Sequence, residues 1–119
     1  MARKDILGRA GESLAVAYLR QHGYLIIERN WRCAQGEIDI VARDGRTTVF
    51  IEVKTRSTVV CGHPFEALSL AKLSRLRRLA GAWCEAHPAV RGDIRIDAIA
   101  VVSPSYAPPT IEHLEAVFA

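Results

Sequence analysis

Two runs, Glu37-Ile38-Asp39-Ile40-Val41-Ala42-Arg43 and Thr47-Thr48-Val49-Phe50-Ile51-Glu52-Val53-Lys54-Thr55, stand on either side of Asp44-Gly45. In an extended chain successive side chains point to opposite faces. The first run then sets Ile38, Ile40 and Ala42 against Glu37, Asp39 and Val41. The second sets Val49, Ile51 and Val53 against Phe50, Glu52 and Lys54. Asp-Gly between two such runs is a strong hairpin signal. The turn brings Asp39 alongside Glu52 and Lys54, so two carboxylates and one ammonium converge on one end of a sheet.

Two carboxylates about 4 Å apart repel by roughly 4 kcal/mol at an effective dielectric near 20. Protonating one of them is one remedy. Binding a divalent cation is the other. Mg²⁺ takes oxygen ligands, usually only one or two of them carboxylates, and leaves positions for water and phosphate. Asp39, Glu52 and the backbone carbonyl of Val53 offer such a set. Water on the ion becomes a better nucleophile, and Lys54 is placed to hold that water or to offset charge growing on a phosphorane. Asp39 and Glu52 are thus candidate ligands of Mg²⁺ or Mn²⁺, and Lys54 a candidate catalytic residue.

Outward from the hairpin, residues 5–21 read as a helix with Ala10, Leu14, Ala17 and Tyr18 near the 3.6-residue period, stopped by Gly23. Residues 24–31 read as a strand and Gly36 as a turn. Residues 57–64 form a loop around Gly62 and Pro64. A second helix starts near Phe65 or Ser69 and runs to Ala86, with Leu73, Leu76, Ala80 and Trp83 as its buried stripe and Pro88 beyond its end. Residues 94–102 give a fourth strand, and residues 111–118 a short edge strand plus tail. The order α-β-β-β-α-β predicts an α/β domain, a mixed β-sheet flanked by helices, spanning residues 1–119.

The totals agree. The chain has 119 residues, half of them hydrophobic, which suits one domain with a core that needs no staple. Three cysteines (Cys33, Cys61 and Cys84) include no CxxC pair, and the four histidines show no i, i+4 ligand spacing. This argues against a disulfide framework or a zinc site. Reduced thiols and an opening Met1-Ala2-Arg3-Lys4-Asp5 with no apolar run behind it predict a cytoplasmic protein, and no stretch approaches a membrane span. A net charge of +3 is a mild bias towards polyanions.

The Asp39…Glu52-Val53-Lys54 constellation resembles that of the PD-(D/E)xK nuclease superfamily, which includes restriction endonucleases and archaeal Holliday-junction resolvases. The match is nearer to one branch, the YraN-like family of restriction-endonuclease-like proteins. It runs through Gly8-Arg9-Ala10-Gly11-Glu12, Gly23-Tyr24, Asn30, Gly36-Glu37-Ile38-Asp39, Phe50-Ile51-Glu52-Val53-Lys54-Thr55-Arg56, Lys72, Arg95-Ile96-Asp97 and Ile111-Glu112-His113. Cys61, where relatives more often carry an aromatic residue, is a departure outside the motif. The resemblance implies a restriction-endonuclease-like fold and metal-dependent cleavage of DNA, including branched or structured DNA, in preference to RNA. It adds Glu12, from the first helix, to the metal site. On a helical wheel Glu12 lies beside Ala15 and Leu19 at the edge of the apolar face. A homodimer is implied by analogy with resolvases that cut two strands.

Basic residues supply candidate phosphate contacts. Arg56 continues the Glu52, Lys54 face, and Lys72, Arg75 and Arg78 form a line on the second helix with Arg77 nearby. Plainer readings stand beside these. Glu52 and Lys54 also suit an exposed ion pair, worth under ~1 kcal/mol. Glu37 fits a supporting role or a turn contact. Arg95 and Asp97 share a face and pair with each other, and Trp31 and Trp83 belong to the core. A module that binds nucleic acid on this fold without cutting it is the alternative function.

Overall fold

In a computed structural model of the chain, described for residues 3–60 and 62–117, seven regular elements follow one another. They are α1 (Arg3–Gln21), β1 (Leu25–Cys33), β2 (Gly36–Asp44), β3 (Thr47–Arg56), α2 (Leu70–Ala86), β4 (Ile94–Val102) and β5 (Thr110–Leu114), with a 3-10 turn at Pro64–Ala67 before α2. Met1, Ala2, Cys61 and Phe118, all touched on above, lie outside the described residues. The strands lie in the order β1-β2-β3-β4-β5. Every pairing is antiparallel except β3 with β4, which are parallel and joined through α2. This is the α/β mixed sheet flanked by helices that the sequence predicts, and it is consistent with a restriction-endonuclease-like arrangement.

The two helices cover opposite faces because β3 is apolar on both. Val49, Ile51 and Val53 pack with Ala15, Val16 and Leu19 of α1 and with Ile99 and Val101 of β4. Phe50, between them, packs with Leu76, Leu79, Ala80 and Trp83 of α2. Near-continuous apolar runs are what a strand covered on both sides requires. Ser69 caps α2, its hydroxyl accepting from the Lys72 N–H at 3.1 Å. Phe65 therefore belongs to the 3-10 turn and not to the helix.

Local expectations shift in four places. Ala10 and Ala17 are exposed, and α1 instead buries Ala15, Val16 and Leu19, one step round the helix from the expected stripe. Leu73 is only half-buried, and Leu79 takes its place in the α2 core. The hairpin turn is Gly45-Arg46, closed by the Asp44–Thr47 pair, one residue later than the Asp-Gly signal. Ile38 packs on the α2 side with Val41, while Ile40 and Ala42 face α1. Strict alternation fails between residues 38 and 41, and Asp39 sits at that break. No helix among the described residues is long and apolar enough to cross a membrane.

Candidate metal centre

The break at Asp39 builds the site. The β2–β3 ladder runs from Asp44–Thr47 to Ile40–Ile51 and stops. Continued by one step it would set Asp39 opposite Glu52. Instead β2 departs, and Asp39 Oδ2 accepts the Val53 N–H at 2.8 Å. In extended backbone the N–H and C=O of one residue point to the same side. The Val53 carbonyl is therefore turned towards the gap that opens between the strands.

Glu12 arrives from α1. A Cβ on Gly11 would fall 1.9 Å from Thr55 Oγ1, so only glycine lets α1 lie this close to β3. The neighbouring residue, Glu12, is thereby brought to the cluster. Glu12, Glu37 and Asp39 each offer a carboxylate oxygen within 4.8 Å of the others. Octahedral oxygens about 2.1 Å from an ion stand roughly 3 or 4.2 Å apart, so small side-chain movements suffice to close this set on a hard cation. All the donors are oxygen, which suits Mg²⁺ or Mn²⁺ and not a thiolate- or imidazole-seeking ion.

Asn30 holds the cluster together. Its Nδ2 donates to Glu12 Oε1 at 2.8 Å and to Glu37 Oε1 at 3.2 Å. The backbone there has φ +53°, a left-handed conformation that asparagine tolerates better than most residues. Register places Asn30 opposite Asp39, between the Arg29–Ile40 and Trp31–Ile38 pairs. Asparagine is depleted in strands, and that oddity within Glu28-Arg29-Asn30-Trp31-Arg32, with the place of Asn30 in the family resemblance, marks the position without giving it this role. Arg32 Nε donates to Glu37 Oε2 at 2.6 Å from an exposed position.

Glu52 lies beside this group but turns to Lys54, with Nζ 3.3 Å from its Oε1 and both side chains about three-quarters covered. Its charge still acts on Asp39. Burial is the largest influence on Asp39 and Glu52 the next, and Glu12 and Glu37 add to them. The Val53 N–H opposes these, yet the Asp39 carboxyl is pushed up to about 8. An acid so placed is neutral at pH 7 unless a cation compensates it.

Around the cluster the clefts differ. Lys54 and Arg56 line an open one with Asp39, Glu52, Val53 and Glu12. Lys72 and Arg75 line a narrower recess with Glu37 and Glu52. Arg78 does not line it, because six residues along a helix is about 120° away from the starting face. Arg95 and Asp97 lie outside these clefts and pair on the α1 side of the sheet, where Arg95 Nε and a terminal nitrogen meet the two Asp97 oxygens at 2.9 and 3.0 Å. Trp83 is fully buried and donates its ring N–H to Glu28, while Trp31 packs at the margin of the same core.

The profile of the Uncharacterised protein family UPF0102 matches residues 11–101, from Gly11 at the α1–β3 contact to Val101 in β4. The chain belongs to the UPF0102 family. It is 52% identical over 117 residues to a UPF0102 protein of Arthrobacter sp., covering 98% of this chain and 99% of that one. The same identity and the same shares hold for a UPF0102 protein of Leifsonia xyli subsp. xyli. Against one from Clavibacter michiganensis subsp. michiganensis the identity is 52% over 112 residues, or 94% and 95% of the two chains. UPF0102 membership thus covers every strand and helix that contributes to the Asp39 site.

Proposed function

We infer that this UPF0102 protein is a divalent-metal-dependent nuclease that hydrolyses phosphodiester bonds in DNA, including branched or structured DNA, on a PD-(D/E)xK-type site. One observation carries the reading. Asp39, fixed by the Val53 N–H where β2 and β3 part, faces three glutamates and is pushed up to about 8. Such an arrangement calls for a proton or a cation on Asp39, and a divalent cation also answers the neighbouring glutamates.

Asp39, Glu12 and the Val53 carbonyl would hold Mg²⁺ or Mn²⁺, with Glu52 on the β3 side and Glu37 completing the set towards β1. The ion supplies Lewis acidity, which offsets charge on a phosphate and acidifies water. Asn30 fixes the carboxylates of Glu12 and Glu37 so that they need not reorganise when the ion enters. Lys54, held by Glu52 at the edge of the open cleft, orients the attacking water and neutralises charge on the pentavalent phosphorus. Arg56 reaches the same cleft and suits an adjacent phosphate.

Cleavage of duplex, single-stranded, flapped and four-way DNA with Mg²⁺, Mn²⁺ or chelator tests this, with Glu52→Ala beside the wild type. Metal-dependent cutting that disappears in a folded Glu52→Ala protein is the expected result. Undiminished cutting in that variant would refute the assignment. No cutting, with binding indifferent to chelator, would leave a nucleic-acid-binding module.

A further inference from the structure

A wide cleft of about 670 Å³ is lined by Glu12 but not by Lys54. Asp5, Gly8, Arg9, Glu12 and Ser13 of α1 form one wall, and Arg29, Asn30, Arg32 and Glu37 the other. It meets the Lys54–Arg56 cleft at Asp5, Gly8 and Glu12, which line both. Sharing these residues, the two clefts adjoin at Glu12 and are taken together as one trough.

The β1 wall is shaped by the left-handed backbone at Asn30. In a regular strand residues 29 and 30 face opposite ways. Here Arg29 reaches Ser13 Oγ at 3.3 Å while Asn30 reaches Glu12, so consecutive side chains both turn to α1. Arg32 joins them through Glu37. Three guanidiniums, Arg9, Arg29 and Arg32, thus line the trough with three carboxylates, Asp5, Glu12 and Glu37. Two of those carboxylates belong to the cation cluster. Once they are shared with a cation, the trough presents a net positive wall. Exposed ion pairs such as Arg32–Glu37 are weak, so Arg32 can exchange its partner for a phosphate at little cost. The planar guanidinium also grips phosphate oxygens in pairs.

We propose that the backbone of the nucleic-acid substrate enters along this trough, its phosphates held by Arg9, Arg29 and Arg32 on one side of the carboxylates and by Arg56 on the other. The α2 cations Lys72, Arg75 and Arg78 then have a minor part in binding. The proposal rests on the nuclease reading for its substrate class, but binding and cleavage are separable.

The test is the fluorescence anisotropy of a short labelled single-stranded DNA titrated with the full chain in Ca²⁺ at several salt concentrations. A triple variant Arg9→Ala/Arg29→Ala/Arg32→Ala should lose at least about tenfold in affinity, and its salt slope should flatten by roughly 2, at about 0.7 per phosphate lost. The charge-matched control Lys72→Ala/Arg75→Ala/Arg78→Ala should lose no more than about threefold. Lysine at positions 9, 29 and 32 should restore the slope but not the full affinity. Equal losses in the two triples, or a larger loss in the α2 triple, would overturn the trough. Wild type that binds neither this single strand nor a four-way DNA at low salt would overturn both the trough and the nuclease reading. Binding that depends on the three arginines in a protein that never cuts with Mn²⁺ would support the trough while ending the nuclease reading.

Discussion

Asp39 and Asp97 sit in the same sheet, and they are built in opposite ways. Asp97 is fully buried, yet every oxygen is answered. Arg95 grips it bidentately, His113 Nε2 lies 2.7 Å from Oδ2, and the Ala116 N–H donates to Oδ1 at 3.0 Å. Burial alone would raise its pKa, but the hydrogen bonds from His113, Arg95 and Ala116, with the Arg95 charge, outweigh that and leave it below the usual range. Arg95 in turn reaches Asp44 at 3.2 Å and Tyr24 at 2.8 Å, so the network pins β5 and the segment after it to the hairpin. Asp39 has one backbone donor and three glutamates for company, and its pKa rises. One aspartate is balanced by the protein itself; the other meets a single backbone donor and the charges of three glutamates. The contrast separates a carboxylate whose charge is answered from one whose charge is opposed, in hydrogen bonding and in the direction of the pKa shift alike.

The largest effect expected is on the balanced side. Asp97→Ala leaves Arg95 and the nearly buried His113 without their common partner. It should cost about 3–5 kcal/mol in urea unfolding, the scale for breaking a buried pair. Cleavage per folded molecule should be unchanged. A cost below 1 kcal/mol would erase the distinction between the two aspartates.

Asp39→Asn should do the reverse. Without metal it removes a repelled carboxylate while an amide oxygen still accepts the Val53 N–H. The folded pKa of Asp39 is raised to about 8 above an unfolded value near ~3.9. Below pH ~4 the group is protonated in both states and contributes nothing. As pH rises from ~4 to ~8 the unfolded chain ionises first, so the native state holds the extra proton and loses stability. The variant should therefore match wild type near pH 4 and exceed it by about 1–3 kcal/mol at pH 8.5 in chelator. Unfolding curves at the two pH values check this, and a destabilised variant at pH 8.5 would mean that Asp39 is already satisfied.

A smaller effect sharpens the comparison from its edge. Asn30→Ala removes the link between Glu12 and Glu37 but touches no part of the Asp97 network. Mn²⁺ affinity should fall about tenfold, the range seen when a ligand's supporting hydrogen bond is lost. Stability in chelator should fall by only about 1 kcal/mol, the scale of placing alanine in the left-handed backbone at position 30.

Much of this was legible in the sequence. Alternation and turn chemistry located the hairpin, and α2 and β4 fell where periodicity and Pro88 put them. That Asp39 shares a face with Glu52 followed from alternation across the hairpin, but counting from an Asp44-Gly45 turn sets Asp39 opposite Phe50, and only the turn one residue later moves it towards Glu52. Asn30's role was not legible, because it depends on a left-handed backbone that no periodicity reveals. Glu37 read as an uncertain neighbour, since only tertiary packing shows that α1 brings Glu12 to it. Arg78 looked continuous with Lys72 and Arg75 on a linear count and leaves them on the real helix. The fate of Asp97 was half legible: the i, i+2 pairing with Arg95 was readable, but not the arrival of His113 from β5.

The most direct measurement is calorimetric titration of Mn²⁺ into wild type and Asp39→Asn at pH 7, repeated in two buffers of different ionisation enthalpy. The account predicts binding to wild type with close to one proton released, because Asp39 must ionise to ligate, and no binding to Asp39→Asn. Mn²⁺ binding that survives Asp39→Asn, or wild type that takes up no Mn²⁺ at all, would contradict it.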